Sequence, residues 1–428
     1  MRIFIEPDRK QWPSLARRVN RDDSMLDWRV TEILKSVKEG GDIALNKVIS
    51  FVEGFAPANL KVTKEELDAA DAKVPDELKN AIKTAAGRIR AFHELEMPKD
   101  TEWNDGNGVV CRRKFLPLRR VGLYVPGGTA PLFSTVLMTG VPSSVAGCQE
   151  RIICTPPAKD GSVAPAILYA AKICGISDIY KIGGAQAIAV MAYGTESIGK
   201  VDKIFGPGNR YVLKAKQIVG REGTAVDMPA GPSEVMVVAD GSSKVPFVVA
   251  DLLSQAEHGP DSQVILVCHS LAFAREVQKE ILRRKESLPR KEIVDMALSD
   301  SRIIVYSKLE DGLEFAHYYA PEHLILSVED PERAAMSVRA AGSVFLGNYS
   351  PESAGDYASG TNHILPTRGT AIAWSGVGVD TFMHAITFQS ISREGLSRIG
   401  ETIISMAEAE GLQAHAEAVK VRLDNESC

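Results

Sequence analysis

Val121-Gly122-Leu123-Tyr124-Val125-Pro126-Gly127-Gly128 reads as a short strand, apolar along almost its whole length, that runs directly into a Pro/Gly turn. A strand with no polar alternation is covered on both faces, as in a parallel sheet, and a glycine turn at its end lets the chain swing into a following helix. The same unit recurs downstream. β-branched runs at 151–155, 178–182, 203–205, 234–238, 263–268, 302–306, 323–328 and 343–346 alternate with helical segments. That interval is the one expected of βαβ units, and it predicts an α/β fold. So many strands imply two parallel sheets rather than one.

Two Gly/Pro stretches, 124–128 and Ala230-Gly231-Pro232-Ser233, mark the ends of an inserted α/β domain, 124–233. The pieces on either side, 23–123 and 234–378, then form the main α/β domain, preceded by an N-terminal segment, 1–22, and followed by a helical C-terminal arm, 379–428. The first hundred residues read as helical. Val30, Ile33, Leu34 and Val37 recur at helix spacing, Thr63-Lys64-Glu65-Glu66 has the form of a capping box, and Leu78, Ile82, Ala85, Ile89 and Phe92 continue the period until Pro98. His93 sits in that last helix among charges and reads as a packing or solvated residue.

With 428 residues, 45% hydrophobic and 25% charged, the chain has the balance of a globular protein of two or three domains. A formal net charge of -5 supplies no basic field, which excludes nucleic acid and anionic membrane as partners and leaves a small-molecule ligand. Met1-Arg2-Ile3-Phe4-Ile5-Glu6 meets acid too early for a secretory signal, and no run approaches the ~20 apolar residues of a membrane span. A cytoplasmic protein is predicted. Its six cysteines, Cys111, Cys148, Cys154, Cys174, Cys268 and Cys428, form no CxxC pair and read as free thiols.

Glycine turns gather where parallel strands end, at Pro126-Gly127-Gly128, Gly183-Gly184-Ala185-Gln186 and Gly206-Pro207-Gly208-Asn209. Such turns admit a phosphate or sugar to the backbone and precede helix N-termini, but they also serve as plain βα turns, and no G-x-G-x-x-G fingerprint is present. Both readings stand on pattern. In Ser254-Gln255-Ala256-Glu257-His258-Gly259-Pro260, Gln255 and His258 lie three apart at a helix end, which suits either a cap or a pair of ligands. Three more segments carry polar groups that packing does not require: Pro321-Glu322-His323, the loop from Gly355-Asp356-Tyr357 to His363, and Glu410-Gly411-Leu412-Gln413-Ala414-His415. Pooled with Gln255 and His258 they provide a nitrogen-and-oxygen set compatible with zinc and other divalent metals.

The runs VGLYVPGGTAPLFSTVLM, IGGAQAIAVMAYGT, KIFGPGNRYV, DMPAGPSEV, LLSQAEHGPDSQ, APEHL, GDYASGTNHILPT and EGLQAHAEAV follow one another from residue 121 to 419, and together they resemble the histidinol dehydrogenase family. The resemblance implies two incomplete Rossmann-like parallel-sheet domains with a helical N-terminal segment and a C-terminal arm. It also implies a homodimer whose arms cross to complete shared active sites, and a zinc-dependent, NAD-linked oxidation of L-histidinol through L-histidinal to L-histidine. Gln255, His258, Asp356 and His415 resemble the zinc ligands, Glu322 and His323 the acid-base pair, and Tyr124, Gln186 and Asn209 the NAD contacts. Ser233, His323, His363 and Glu410 join the ligand set around the substrate. The nearest rival is a related zinc and NAD dehydrogenase acting on another small alcohol, such as a sulfonated diol; His363 and Glu410, suited to an imidazole-bearing cation, argue against it. A zinc hydrolase using Glu257 or Glu322 as base lacks HExxH, and the intact Glu322-His323 pair disfavours a purely binding module.

Overall fold

A computed structural model describes residues 1–19, 24–127, 131–229 and 231–424. Gly128, Ala230, Cys428 and the boundary expected at 22/23 therefore lie outside the described residues. The strands in chain order are β1 (Arg2–Ile5), β2 (Thr101–Asn104), β3 (Val109–Pro117), β4 (Arg120–Tyr124), β5 (Glu150–Cys154), β6 (Asp178–Tyr180), β7 (Lys203–Phe205), β8 (Ala225–Val226), β9 (Glu234–Ala239), β10 (Gln263–Cys268), β11 (Arg302–Val305), β12 (His323–Ser327), β13 (Ser343–Leu346) and β14 (Met383–Ile391).

They form a parallel sheet ordered β6-β5-β4-β7-β8, a parallel sheet ordered β1-β11-β10-β9-β12-β13, and an antiparallel sheet ordered β14-β3-β2. Both parallel sheets carry apolar side chains on both faces. The five-stranded sheet packs on one side against helices Lys64–Lys73, Asp76–Leu95, Phe133–Ala146 and Pro165–Ile173. Its other side meets helices Ser24–Glu53, Gly184–Tyr193 and Arg210–Arg221. The six-stranded sheet is covered by Val245–Ala256, Leu271–Arg284 and Lys291–Ser299 on one face. Leu309–Tyr319 and the short N-terminal helix Trp12–Leu15 cover the other. Continuous burial explains why these strands have no polar alternation: all six residues of β9 and all six of β10 are buried.

The nine strand runs read from the pattern are all present, and the Thr63 capping box forms as expected, with Thr63 Oγ1 accepting from the Glu66 amide and the Glu66 carboxylate accepting from the Thr63 amide. Two readings need correction. The N-terminus is not wholly helical, because β1 pairs in parallel with β11 as a sheet edge. The stretch beyond Val379 is not wholly helical either: β14 pairs over nine residues with β3 before helices Arg393–Ala409 and Gln413–Asp424. β2 and β14 are exposed at nearly every position, so neither displays the half-buried alternation that marks a strand. No helix among the described residues is long and apolar enough to cross a membrane. The five described cysteines are free, and burial pushes the Cys154 and Cys174 thiols up to about 12, which removes them from nucleophilic chemistry.

Candidate active site

In a βαβ unit the helix runs back against its strands, so a helix C-terminus and the start of the neighbouring strands share one edge of the sheet. The Ser254–Pro260 stretch exploits this. Helix Val245–Ala256 leaves β9 and returns to the edge where β9 and β12 begin, with Gln255 in its last turn and His258 in the turn beyond, the His258 amide donating to the Gln255 carbonyl at 3.2 Å. The helix ends at Ala256, three residues short of Gly259.

Glu322 and His323 occupy the same edge. Ala320, in the left-handed region at φ 49°, ends helix Leu309–Tyr319, and Pro321 then leads into Glu322, just before β12, and His323, its first residue. A non-glycine residue in that conformation is strained and needs its surroundings to hold it. Both side chains are buried, and both are gripped by one peptide residue: the Glu234 N–H donates to Glu322 Oε2 at 2.7 Å, and the Glu234 carbonyl lies 3.1 Å from His323 Nδ1. A carbonyl only accepts, so Nδ1 carries the hydrogen and Nε2 keeps its lone pair. Burial pushes the Glu322 carboxyl well above the ordinary carboxylate range. It also lowers the His323 imidazole to about 3, aided by the His258 and His363 rings. The imidazole is uncharged at neutral pH.

A third piece comes from helix Glu352–Tyr357, which follows β13. His258, Glu352 and Asp356 offer ligand atoms that all lie within 4.8 Å of one another. Asp356 Oδ2 stands 3.9 Å from His258 Nε2, and Asp356 Oδ1 3.9 Å from His363 Nδ1, which is also 3.0 Å from the Asp356 carbonyl oxygen. Burial raises the Glu352 and Asp356 carboxyls, and the Asp356 charge pushes Glu352 further. Two buried acids beside one another, with no Lys or Arg paired to either among the described residues, form an arrangement that a divalent cation would relieve. The fit extends to Gln255: it is fully buried, and among the described residues neither its Oε1 nor its Nε2 has a hydrogen-bond partner. A buried amide with no partner is costly and calls for a ligand.

Sequence reasoning missed Glu352. It lies one helical turn before Asp356, on the same face, so the i,i+4 spacing was the available signal. Its Oε2 accepts from Ser254 Oγ at 3.0 Å, and its buried Oε1 has no partner among the described residues. Ser233 sits just before β9 at this edge, its carbonyl accepting from the Gln263 amide at 3.1 Å. Glu410 and His415 are not brought to the cluster. Both are exposed on the C-terminal arm, and among the described residues no hydrogen bond or ion pair joins either to Gln255, His258 or Asp356.

The glycine turns of the five-stranded sheet make a second locus. Tyr124, at the end of β4, accepts the Gly184 amide on its hydroxyl at 3.1 Å. A Cβ on Gly206 would stand 2.1 Å from the Tyr124 carbonyl oxygen, and φ is +117° there, so only glycine fits. The turn is fastened from behind by the buried Lys216–Asp227 ion pair: Lys216 Nζ donates to the Gly206 carbonyl at 2.9 Å, and Asp227 Oδ2 accepts the Gly206 amide at 2.9 Å. Gln186 is buried, and among the described residues both its amide atoms are unpartnered, the same condition as Gln255. Asn209 caps helix Arg210–Arg221, its Oδ1 accepting from the Tyr211 and Val212 amides at 3.0 and 3.2 Å. Close glycine backbone and an unpartnered buried amide fit a nucleotide.

The sequence model of the histidinol dehydrogenase family matches residues 16–423. A histidinol dehydrogenase of Bacteroides fragilis is 49% identical over 424 residues, 99% of each chain. One of Xylella fastidiosa is 51% identical over 395 residues, 92% of each chain. The crystal structure of histidinol dehydrogenase from Elizabethkingia anophelis superposes with a TM-score of 0.96 at 47% identity, covering 99% of this chain and 98% of that one.

Proposed function

Because the chain belongs to the histidinol dehydrogenase family, we propose that it oxidises L-histidinol through L-histidinal to L-histidine, a four-electron reaction in two NAD-linked steps. One observation carries this reading: a buried acid-base pair, Glu322-His323, stands within electrostatic reach of His258, His363, Glu352 and Asp356. Zinc, held by Gln255, His258, Asp356 and His415, would orient the substrate's amino and imidazole nitrogens, and NAD, held at Tyr124, Gln186 and Asn209, would take the hydrides.

The protein's own groups move the protons. With Nδ1–H committed to the Glu234 carbonyl, His323 Nε2 is free to take the alcohol proton as the carbon is oxidised. Glu322, a stronger base in its dry pocket than a solvated carboxylate, takes a proton from the water that adds to the aldehyde. Ser233, His363 and Glu410 hold the rest of the substrate.

The exposure of Glu410 and His415 is consistent with an arm that completes the site of a second copy. Trp103, Ile386, Phe388 and Ile391 on the antiparallel sheet, and Met406 and Leu412 on the helical hairpin, leave apolar surface that a dimer would cover. The test is direct. Purified protein supplied with L-histidinol and excess NAD should release two equivalents of NADH per histidinol and accumulate histidine. One equivalent with aldehyde as the end product, or none, would overturn the reading.

A further inference from the structure

Resting on the reading of Glu322 and His323 as the acid-base pair, we propose that Arg18 is a positioning residue for that pair, acting through Glu234 from the segment that follows helix Trp12–Leu15. Glu234 opens β9 with its side chain 2% exposed, a place where a carboxylate needs a charged partner. Arg18 supplies a planar fork, Nε to Oε1 and Nη2 to Oε2, both at 3.1 Å, and the Arg368 amide adds a bond to Oε1 at 3.0 Å. The guanidinium also lies 3.7 Å from the centre of the Tyr319 ring. Its Nη2 donates to the Tyr319 carbonyl and, at 3.4 Å, to the Ala320 carbonyl.

One side chain thus ties together the two stretches that present the pair. The first is the start of β9, whose Glu234 N–H and C=O hold Glu322 and the His323 Nδ1–H. The second is the left-handed turn at Ala320 that delivers Pro321-Glu322-His323. A buried ion pair is weak support for stability as such, but it fixes orientation, and here what it orients is the peptide unit that sets the His323 tautomer. Lysine has the charge without the fork and could not reach both carboxylate oxygens and the Tyr319 carbonyl at once.

The experiment compares Arg18→Lys, Arg18→Ala and Glu234→Gln with wild type, each checked for native circular dichroism. Two readouts are used: steady-state oxidation of histidinol with NAD, and ¹⁵N NMR of the imidazoles, with the His323 signal assigned by its loss in His323→Gln. Arg18→Ala should lower kcat by about 10²-fold, the usual penalty for a small misplacement of a reacting group, with KM for either substrate little changed. Millimolar guanidinium should return part of that loss in Arg18→Ala and none in Arg18→Lys. The His323 signal should move away from the pure Nδ1–H tautomer in all three. Should Arg18→Ala not fold, Arg18→Lys and Glu234→Gln carry the same expectation. Wild-type kcat together with an unshifted His323 tautomer in a folded variant would overturn the proposal. Should the wild type not oxidise histidinol, the functional reading fails, and the NMR result still decides whether Arg18 positions His323.

Discussion

Replacing Asp227 by Asn removes a negative charge from a buried ion pair while keeping the side chain's shape. The Asp227 and Lys216 side chains are 1% and 4% exposed, so neither charge can turn to water for compensation. Asp227 also accepts two amides, Gly206 on Oδ2 at 2.9 Å and Met228 on Oδ1 at 2.8 Å. An Asn has one oxygen for these two donors and leaves the ammonium uncompensated. Removing one partner of a buried pair costs about 3–5 kcal/mol. At about 1.4 kcal/mol per factor of ten, that is roughly a 10²- to 10⁴-fold rise in the local opening that limits amide exchange.

Hydrogen exchange with mass spectrometry, followed on peptides covering 203–210 and 224–229, measures this directly. Lys216→Met added to Asp227→Asn removes the stranded cation and should return much of the protection, because replacing both charges costs far less than removing one. NAD affinity should fall and recover in parallel, since the Gly206 turn packs against the Tyr124 backbone. Exchange in Asp227→Asn indistinguishable from wild type, or a double variant that exchanges faster than the single, would refute the reasoning.

Glu322→Gln should slow oxidation of supplied histidinal by on the order of 10²- to 10⁴-fold, the worth of a positioned base, and slow the histidinol step less, whereas His323→Asn should impair the histidinol step most. Single-turnover NADH formation from each substrate separates them, and equal losses on both substrates for both variants would mean that the pair acts as one unit. Chelation should abolish turnover and zinc restore it, and Glu352→Gln should weaken metal retention by roughly 10- to 100-fold, the usual worth of a group that supports metal ligands, read as zinc content after dialysis against a competing chelator. Full activity of metal-free protein would sink the zinc reading. Mixing inactive His258→Ala and His415→Ala chains under conditions of subunit exchange should recover about a quarter of wild-type activity, because half of the random dimers are hybrids and each hybrid keeps one intact site of two. No recovery after demonstrated exchange would mean that sites are not shared.

The α/β class, nine strands of the two parallel sheets and the family were legible in the sequence because each rests on local information. A strand buried on both faces is apolar throughout wherever it occurs, a capping box spans four residues, and ordered motif runs need no partner to be recognised. β1 and β14 were not legible. The first is a four-residue edge that exists as a strand only through its pairing with β11, and the second is exposed on both faces and pairs with β3 more than two hundred and sixty residues earlier. Burial, which writes the strand signal into sequence, is missing there.

The candidate site divides the same way. Sequence by itself determined which residue types were available: an amide and an imidazole in Ser254–Pro260, an acid and an imidazole side by side in Pro321-Glu322-His323, and glycine turns at strand ends. Only the tertiary structure decided what they do. The His323 tautomer is set by a carbonyl 89 residues away in sequence, and Glu322 is held by the amide of that same residue. Glu352 joins the acidic cluster because its helix packs beside the end of Val245–Ala256, and Arg18 reaches Glu234 across 216 residues of chain. Local sequence fixes the propensity of an element and the chemistry of its side chains. Direction, desolvation and proton placement belong to whatever packs against them, and only the folded chain specifies that.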